Sequence, residues 1–76
     1  MAKKLIKDRY KKDLGKIGTR IGKIRISKDL SQKRLAVIAD VPFASINAIE
    51  RGNTNPTIST LLAIAEALDV DVKEFL

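Results

Sequence analysis

Ser31-Gln32-Lys33-Arg34-Leu35-Ala36-Val37-Ile38-Ala39-Asp40-Val41-Pro42-Phe43-Ala44-Ser45-Ile46-Asn47-Ala48-Ile49-Glu50-Arg51-Gly52 decides the fold. The Ser31 hydroxyl can accept a bond from an unpaired first-turn amide, and Leu35, Ala36 and Ala39 then share one face, so a helix is predicted from Gln32 to Ala39. Asp40-Val41-Pro42 interrupts it. Asp tolerates left-handed backbone better than most residues, and the fixed φ of Pro42 suits the beginning of another helix. That helix is predicted from Phe43 to Arg51, with Ile46 and Ile49 buried and Gly52 as its stop.

Outward from this pair the pattern stays helical. Leu14, Ile17, Ile21 and Ile24 recur at three- and four-residue spacing, which predicts an amphipathic first helix from Ile17 to Lys28. Gly15, Gly18 and Gly22 weaken it. An interior glycine such as Gly22 costs about 1 kcal/mol relative to alanine, which marks either a close approach by another backbone or a tolerated surface position. Asn53 to Pro56 is a polar loop. Thr57 can cap a fourth helix with Ile58, Leu61, Leu62, Ile64, Ala65 and Leu68 inward, and a short last helix is expected at about Asp71 to Leu76. The expectation is therefore an all-α, five-helix domain over 17–76 behind a basic N-terminal extension, 1–16.

Composition narrows the function. The chain has 76 residues, no Cys and no His, which excludes disulfides, thiolate chemistry and the commonest zinc sites. No metal or cofactor is expected. There is no nucleophile–base pair, Gly-rich phosphate loop or carboxylate cluster to support catalysis, so the chain does not read as an enzyme. No apolar run approaches the roughly 20 residues that span a bilayer, and no secretion signal opens the chain, so a cytoplasmic setting is expected. Charge is uneven: residues 1–28 carry eleven Lys or Arg against Asp8 and Asp13, and residues 29–76 carry four against seven acids. The basic part attracts a polyanion and releases its counterions, although Lys-rich termini are also often simply solvated. For a membrane surface, Leu5, Ile6 and Tyr10 offer too little apolar area.

Leu35-Ala36, Val41, Ile46, Ile49-Glu50-Arg51-Gly52, Pro56, Leu61 and Ala65 to Leu68 together resemble the phage-repressor family, Xre-like, Cro-like and lambda-repressor-like, of helix-turn-helix proteins. The likeness runs from about Ile17 to Leu76. It implies a five-helix domain that binds double-stranded operator DNA as a dimer, with the second helix of the motif in the major groove. Asp40 departs from it, standing where the family usually has Gly, and so does Pro42-Phe43-Ala44, where small polar residues are usual. The operator sequence does not carry over. The resemblance also implies that Arg25 and Glu50 form a structural ion pair and that Gln32 contacts operator backbone or a nearby base. Antitoxins and restriction-system controllers share this fold, and antitoxins also bind a partner protein, for which Val37 and Ile38, off the core stripe, could form a patch. Non-specific nucleic-acid binding is a further reading.

Helix geometry then proposes the contacts. With Ile46 and Ile49 buried, Ala44, Asn47, Ala48 and Arg51 turn outward, with Phe43 and Ser45 on the flanks. Asn47 can pair with an adenine edge, Ser45 can exchange one bond, and Phe43, Ala44 and Ala48 can touch thymine methyls, which favours A/T-rich half-sites. Lys33 and Arg34 sit in a first turn, where the helix dipole disfavours cations by about 0.3–1 kcal/mol each. A docked phosphate would offset that, and Lys33 is therefore a phosphate candidate, with Arg51, Asn53, Thr54 and Asn55 beside it. One groove helix reads too few base pairs for a useful specificity ratio, so a homodimer on a palindrome is expected. Its interface is expected at Val72, Phe75 and Leu76, with Phe75 as a core cap and helix four or the basic segment as the contact in the alternative.

Overall fold

Side chains at the helix ends divide this chain into its elements. The structure, a computed structural model, describes residues 10–76, which form α1 (Lys11–Ser27), α2 (Gln32–Ala39), α3 (Phe43–Glu50), α4 (Ile58–Leu68) and a 3₁₀ turn, Val72–Phe75. No strand occurs among the described residues. Ser31 Oγ accepts from the Arg34 amide at 3.0 Å to open α2, and Thr57 Oγ1 accepts from the Thr60 amide at 3.2 Å to open α4. Pro42, at φ −59°, precedes α3, and its carbonyl accepts the Ser45 and Ile46 amides.

The stops are more uniform than the starts. Asp29, Asp40 and Asp69 all adopt left-handed backbone, at φ 58°, 57° and 57°, and Gly52 does so at 71°. At each of these four positions the left-handed residue and its successor donate backwards in a Schellman arrangement, as in Asp40 N to Val37 O and Val41 N to Ala36 O. After each Asp comes an apolar residue, Leu30, Val41 or Val70, that packs against the core. Gly is thus replaced by Asp at three helix ends, because Asp is among the few side chains that reach this region at modest cost.

The helix ends at Ser27 and Glu50 fall one residue short of the sequence expectation, and two differences are larger. Helix α1 begins at Lys11 rather than Ile17, with the Leu14 amide donating to Tyr10 O at 2.9 Å and Asp13 complementing the dipole of the first turn. The helix therefore runs unbroken through 16–17, and residues 1–9 of the expected extension lie outside the described residues. In place of a fifth α-helix there is one 3₁₀ turn. Its bonds, Glu74 N to Asp71 O and Leu76 N to Lys73 O, span three residues, the pattern of a 3₁₀ rather than an α-helix.

Leu35, Ala36 and Ala39 of α2, Ile46 and Ile49 of α3, and Leu61, Ile64, Ala65 and Leu68 of α4 form the core with Ile21 of α1 and Phe75. Ile58 and Leu62, read from the sequence as inward, are exposed at 70% and 49%. At 100° per residue they stand about 70° and 110° from the centre of the buried arc, so the core has no room for them. Helix α1 crosses α3 closely. A methyl group on Gly18 would sit on the Ile49 carbonyl oxygen and 2.9 Å from the Glu50 oxygen, so Gly18 sets the crossing. Gly15 and Gly52 meet beside it, where a Cβ on Gly52 would lie 2.8 Å from the Gly15 Cα.

Candidate nucleic-acid interface

A hydrogen-bonded chain reaches from α1 to the outer face of α3. Arg25 Nε lies 2.6 Å from Glu50 Oε2, and its Nη2 donates to Oε1 at 3.0 Å, a bidentate pair whose side chains are 12% and 9% exposed. Arg25 Nη1 also donates to the Leu30 carbonyl at 2.6 Å. Hydrogen bonding to Glu50 raises the Arg25 pKa above its ordinary value, so the guanidinium stays charged. Gln32 Nε2 donates to Glu50 Oε1 at 3.0 Å, and Asn47 Nδ2 donates to Gln32 Oε1 at 3.2 Å. Three helices are thereby tied through side chains alone: α1 by Arg25, α2 by Gln32, α3 by Glu50 and Asn47.

This chain alters what Asn47 can do. From the sequence it stands as a free reader of an adenine edge, but it is half-buried and one of its two amide hydrogens is spent on Gln32. The Oδ1 and the second hydrogen remain. Phe43, Ala44 and Arg51 are exposed on α3 and at its end, while Ser45 and Ala48 are half-buried. Lys33 lies with its Nζ 5.7 Å from the centroid of the Phe43 ring, a cation–π contact worth about 0.5–1 kcal/mol at an exposed site. It joins the first turn of α2 to the first residue of α3. Of the loop residues, Asn53 and Asn55 are exposed and Thr54 half-buried, around a notch shared with Tyr10, Lys11 and Leu14.

The C-terminal residues are arranged otherwise than expected. Phe75 is fully buried in its own core and Val72 is half-buried against it, so Leu76, 66% exposed, alone of the three is open to a partner. The 3₁₀ turn that carries Phe75 packs against both α1 and α4, and Phe75 joins the core from it. Val37 and Ile38 are exposed on α2. Sequence reading missed the Glu50–Gln32–Asn47 links, because carboxamide bonds between helices leave no periodic trace. It singled out Gly22 rather than Gly18, although the spacing of Gly18 from Gly22 places both on the α3 side of α1.

Against known proteins, the helix-turn-helix family HTH_3 matches residues 21–75. The immunity repressor protein of Bacillus phage phi105 is 41% identical over 56 residues, covering 74% of this chain and 39% of that protein. An uncharacterized HTH-type transcriptional regulator of Rickettsia conorii is 34% identical over 59 residues, 78% of this chain and 47% of that one. The chain thus spans less than half the length of these two relatives. Among solved structures, the restriction-modification controller protein C.AhdI from Aeromonas hydrophila superposes with a TM-score of 0.83 at 34% identity, over 84% of this chain and 97% of that one. An HTH_3 family transcriptional regulator from Vibrio cholerae gives 0.81 at 32% identity, over 86% of this chain and 36% of that one.

Proposed function

Because the chain belongs to the HTH_3 helix-turn-helix family, we propose that it is a sequence-specific double-stranded-DNA-binding transcriptional regulator, a repressor acting as a homodimer on a palindromic operator. The observation that carries this reading is the seating of α3. Its buried side is fixed by Gly18 and by Arg25–Glu50, and the side left outward is small, with Ala44 exposed between Phe43 and Arg51. A helix presenting so little bulk can lie deep in the major groove. Phe43 and Ala44 meet thymine methyls, Asn47 offers its remaining carboxamide atoms to a base edge, and Gln32 and Lys33 bring the α2 N-terminus to a phosphate. Arg51, Asn53 and Asn55 hold the backbone beyond the other end of α3.

Two copies bring two α3 helices about 34 Å apart, one duplex turn. With Phe75 buried, the surface that serves this is the outward face of α4, where Ile58 and Leu62 lie one turn apart. A restriction-modification controller is the second reading, favoured by the match to C.AhdI over 97% of that chain. Selection of bound duplexes from a random library tests the proposal: it expects A/T-rich half-sites related by two-fold symmetry, and recovery of no common sequence refutes it.

A further inference from the structure

The side of α1 turned away from the core forms a basic cleft of which the α3 reading uses Arg51 alone. Lys12, Lys16, Arg20 and Lys23 line it together with Thr19 and Arg51. Its floor at Gly15 is open, with nothing within 4 Å of where a Cβ would stand. The carboxylate in its wall, Glu50, has both oxygens engaged by Arg25 and one also by Gln32. Lys12, Lys16 and Lys23 are exposed and fall within about 40° of one another at 100° per residue. No described carboxylate lies within ion-pair distance of them. Asp13 stands at the far flank, beside Lys16, Arg20 and Leu76, and Arg20 Nη1 already donates to the Leu76 carbonyl at 2.8 Å.

This arrangement is unfavourable in the free protein. Lys12 to Lys16 and Lys16 to Arg20 set like charges one helical turn apart, where they repel. An anion in the cleft turns that repulsion into attraction. The cleft is continuous with α3, because Arg51 follows α3 directly and lies about 20° from Ala44 in helical projection. From Lys12 to Lys23 the helix rises about 16 Å, and one DNA strand carries a phosphate for roughly every 3.4 Å of axis. Successive phosphates of one strand lie farther apart along the strand than along the axis, and the stripe is long enough to meet several of them.

We propose that this cleft is a second DNA contact, a track for the sugar-phosphate backbone flanking the base pairs that α3 reads. The inference rests on the placement of α3 in the major groove. Contacts of this kind carry no base information, so the cleft adds affinity and lengthens the occupied duplex without changing sequence preference.

The test compares the full chain with K12Q/K16Q/K23Q on the duplex recovered by library selection, with and without about one turn of flanking base pairs, and on a scrambled duplex of equal length. At about 0.9 unit per neutralised phosphate, the triple variant lowers the slope of log K against log salt by between roughly two and three units. Its ratio of selected to scrambled binding stays that of the unsubstituted chain. Trimming the flanks weakens the unsubstituted chain and not the variant. In the unsubstituted complex Lys12, Lys16 and Lys23 are protected from acetylation while exposed Lys73 is modified, a readout that does not depend on how the variant folds. Lysines that stay reactive in the complex, or an unchanged slope with equal dependence on flanks, overturn the proposal and leave the cleft to another occupant such as an acidic protein. Failure of the unsubstituted chain to prefer the selected duplex overturns the reading of α3 instead, and slope and protection on scrambled DNA still report on the cleft.

Discussion

Replacing Gly15, Gly18 and Gly22 one at a time with alanine separates helix propensity from helix packing within α1. Alanine gains roughly 0.5–1 kcal/mol over glycine in a helix interior, and at Gly15 nothing opposes that gain, because the added methyl group meets open space. For a domain of this size such a gain raises Tm by about 2–8 °C. At Gly18 the methyl group meets the Ile49 carbonyl oxygen and comes within 2.9 Å of the Glu50 oxygen. Both are backbone atoms, so relief requires α3 to move as a body, and overpacking of this kind costs typically 1–3 kcal/mol. Set against the propensity gain, a net loss of about 1–2 kcal/mol is expected, a fall in Tm of roughly 5–15 °C. At Gly22 the neighbour is Glu50 Oε1 at 3.2 Å, a side-chain atom that moves only by disturbing its bonds to Arg25 and Gln32. An intermediate Tm is expected there. Thermal melting followed by circular dichroism orders the three: Gly15→Ala above the unsubstituted chain, Gly22→Ala below it, Gly18→Ala lowest. A Gly18→Ala chain that melts at or above the unsubstituted one refutes the close crossing of α1 and α3.

Arg25→Ala leaves Glu50 buried with only Gln32 as donor and is expected to cost on the order of 3 kcal/mol, whereas Arg25→Met with Glu50→Leu is expected to be near neutral; chemical denaturation measures both. Asp40→Gly removes both the left-handed cost and a negative charge at a helix C-terminus, so a gain of about 0.5–1 kcal/mol is expected, and a lowered denaturation midpoint contradicts it. Gln32→Ala releases Asn47, removes a donor from Glu50 and loses the phosphate contact proposed for Gln32, so binding to the selected duplex is expected to weaken by about 1–3 kcal/mol more than binding to scrambled DNA, which loses the phosphate contact alone; equal weakening of both counts against the chain of bonds as a device for reading. Leu62→Glu places a charge in the exposed α4 face and is expected to shift sedimentation from dimer to monomer; a variant that still sediments as a dimer refutes that interface.

Much of this architecture is legible in the chain because it rests on local chemistry. Ser31 and Thr57 declare helix starts through their hydroxyls, and Leu35, Ala36, Ala39, Ile46 and Ile49 declare the faces that α2 and α3 bury. Gly52 is an evident stop; Asp29 and Asp69 are not, since aspartate occurs in many other contexts and only the backbone shows the left-handed turn. Ile58 and Leu62 look inward because α4 is apolar around most of its girth, and hydrophobicity alone does not say which arc the other helices cover. The same holds for Phe75, whose burial depends on the space left between α1 and α4. At the candidate interface the residue types were legible and their coupling was not: Gln32 and Asn47 are each readable as free carboxamides, and their shared bond depends on a crossing that Gly18 permits.

That coupling gives stability and recognition a common origin. The position of α3 is set at its C-terminal end, where Gly18 admits the Ile49 and Glu50 carbonyls and Arg25 holds the Glu50 carboxylate. From that carboxylate the bonds continue through Gln32 to Asn47, so the carboxamide facing outward from α3 takes its orientation from a side chain on α1. The large exposed side chains here, Phe43 and Arg51, lie at the start of α3 and just past its end, one in contact with Lys33 and the other in the lining of the basic cleft. Between them Ala44 and Ala48 contribute shape rather than hydrogen bonds. A surface of this composition discriminates bases weakly at each contact, because a methyl contact is worth less than a bidentate pair. On the proposed reading affinity depends on phosphate contacts at both ends of α3 and on pairing of two such surfaces, which is why salt dependence and oligomeric state are the informative measurements.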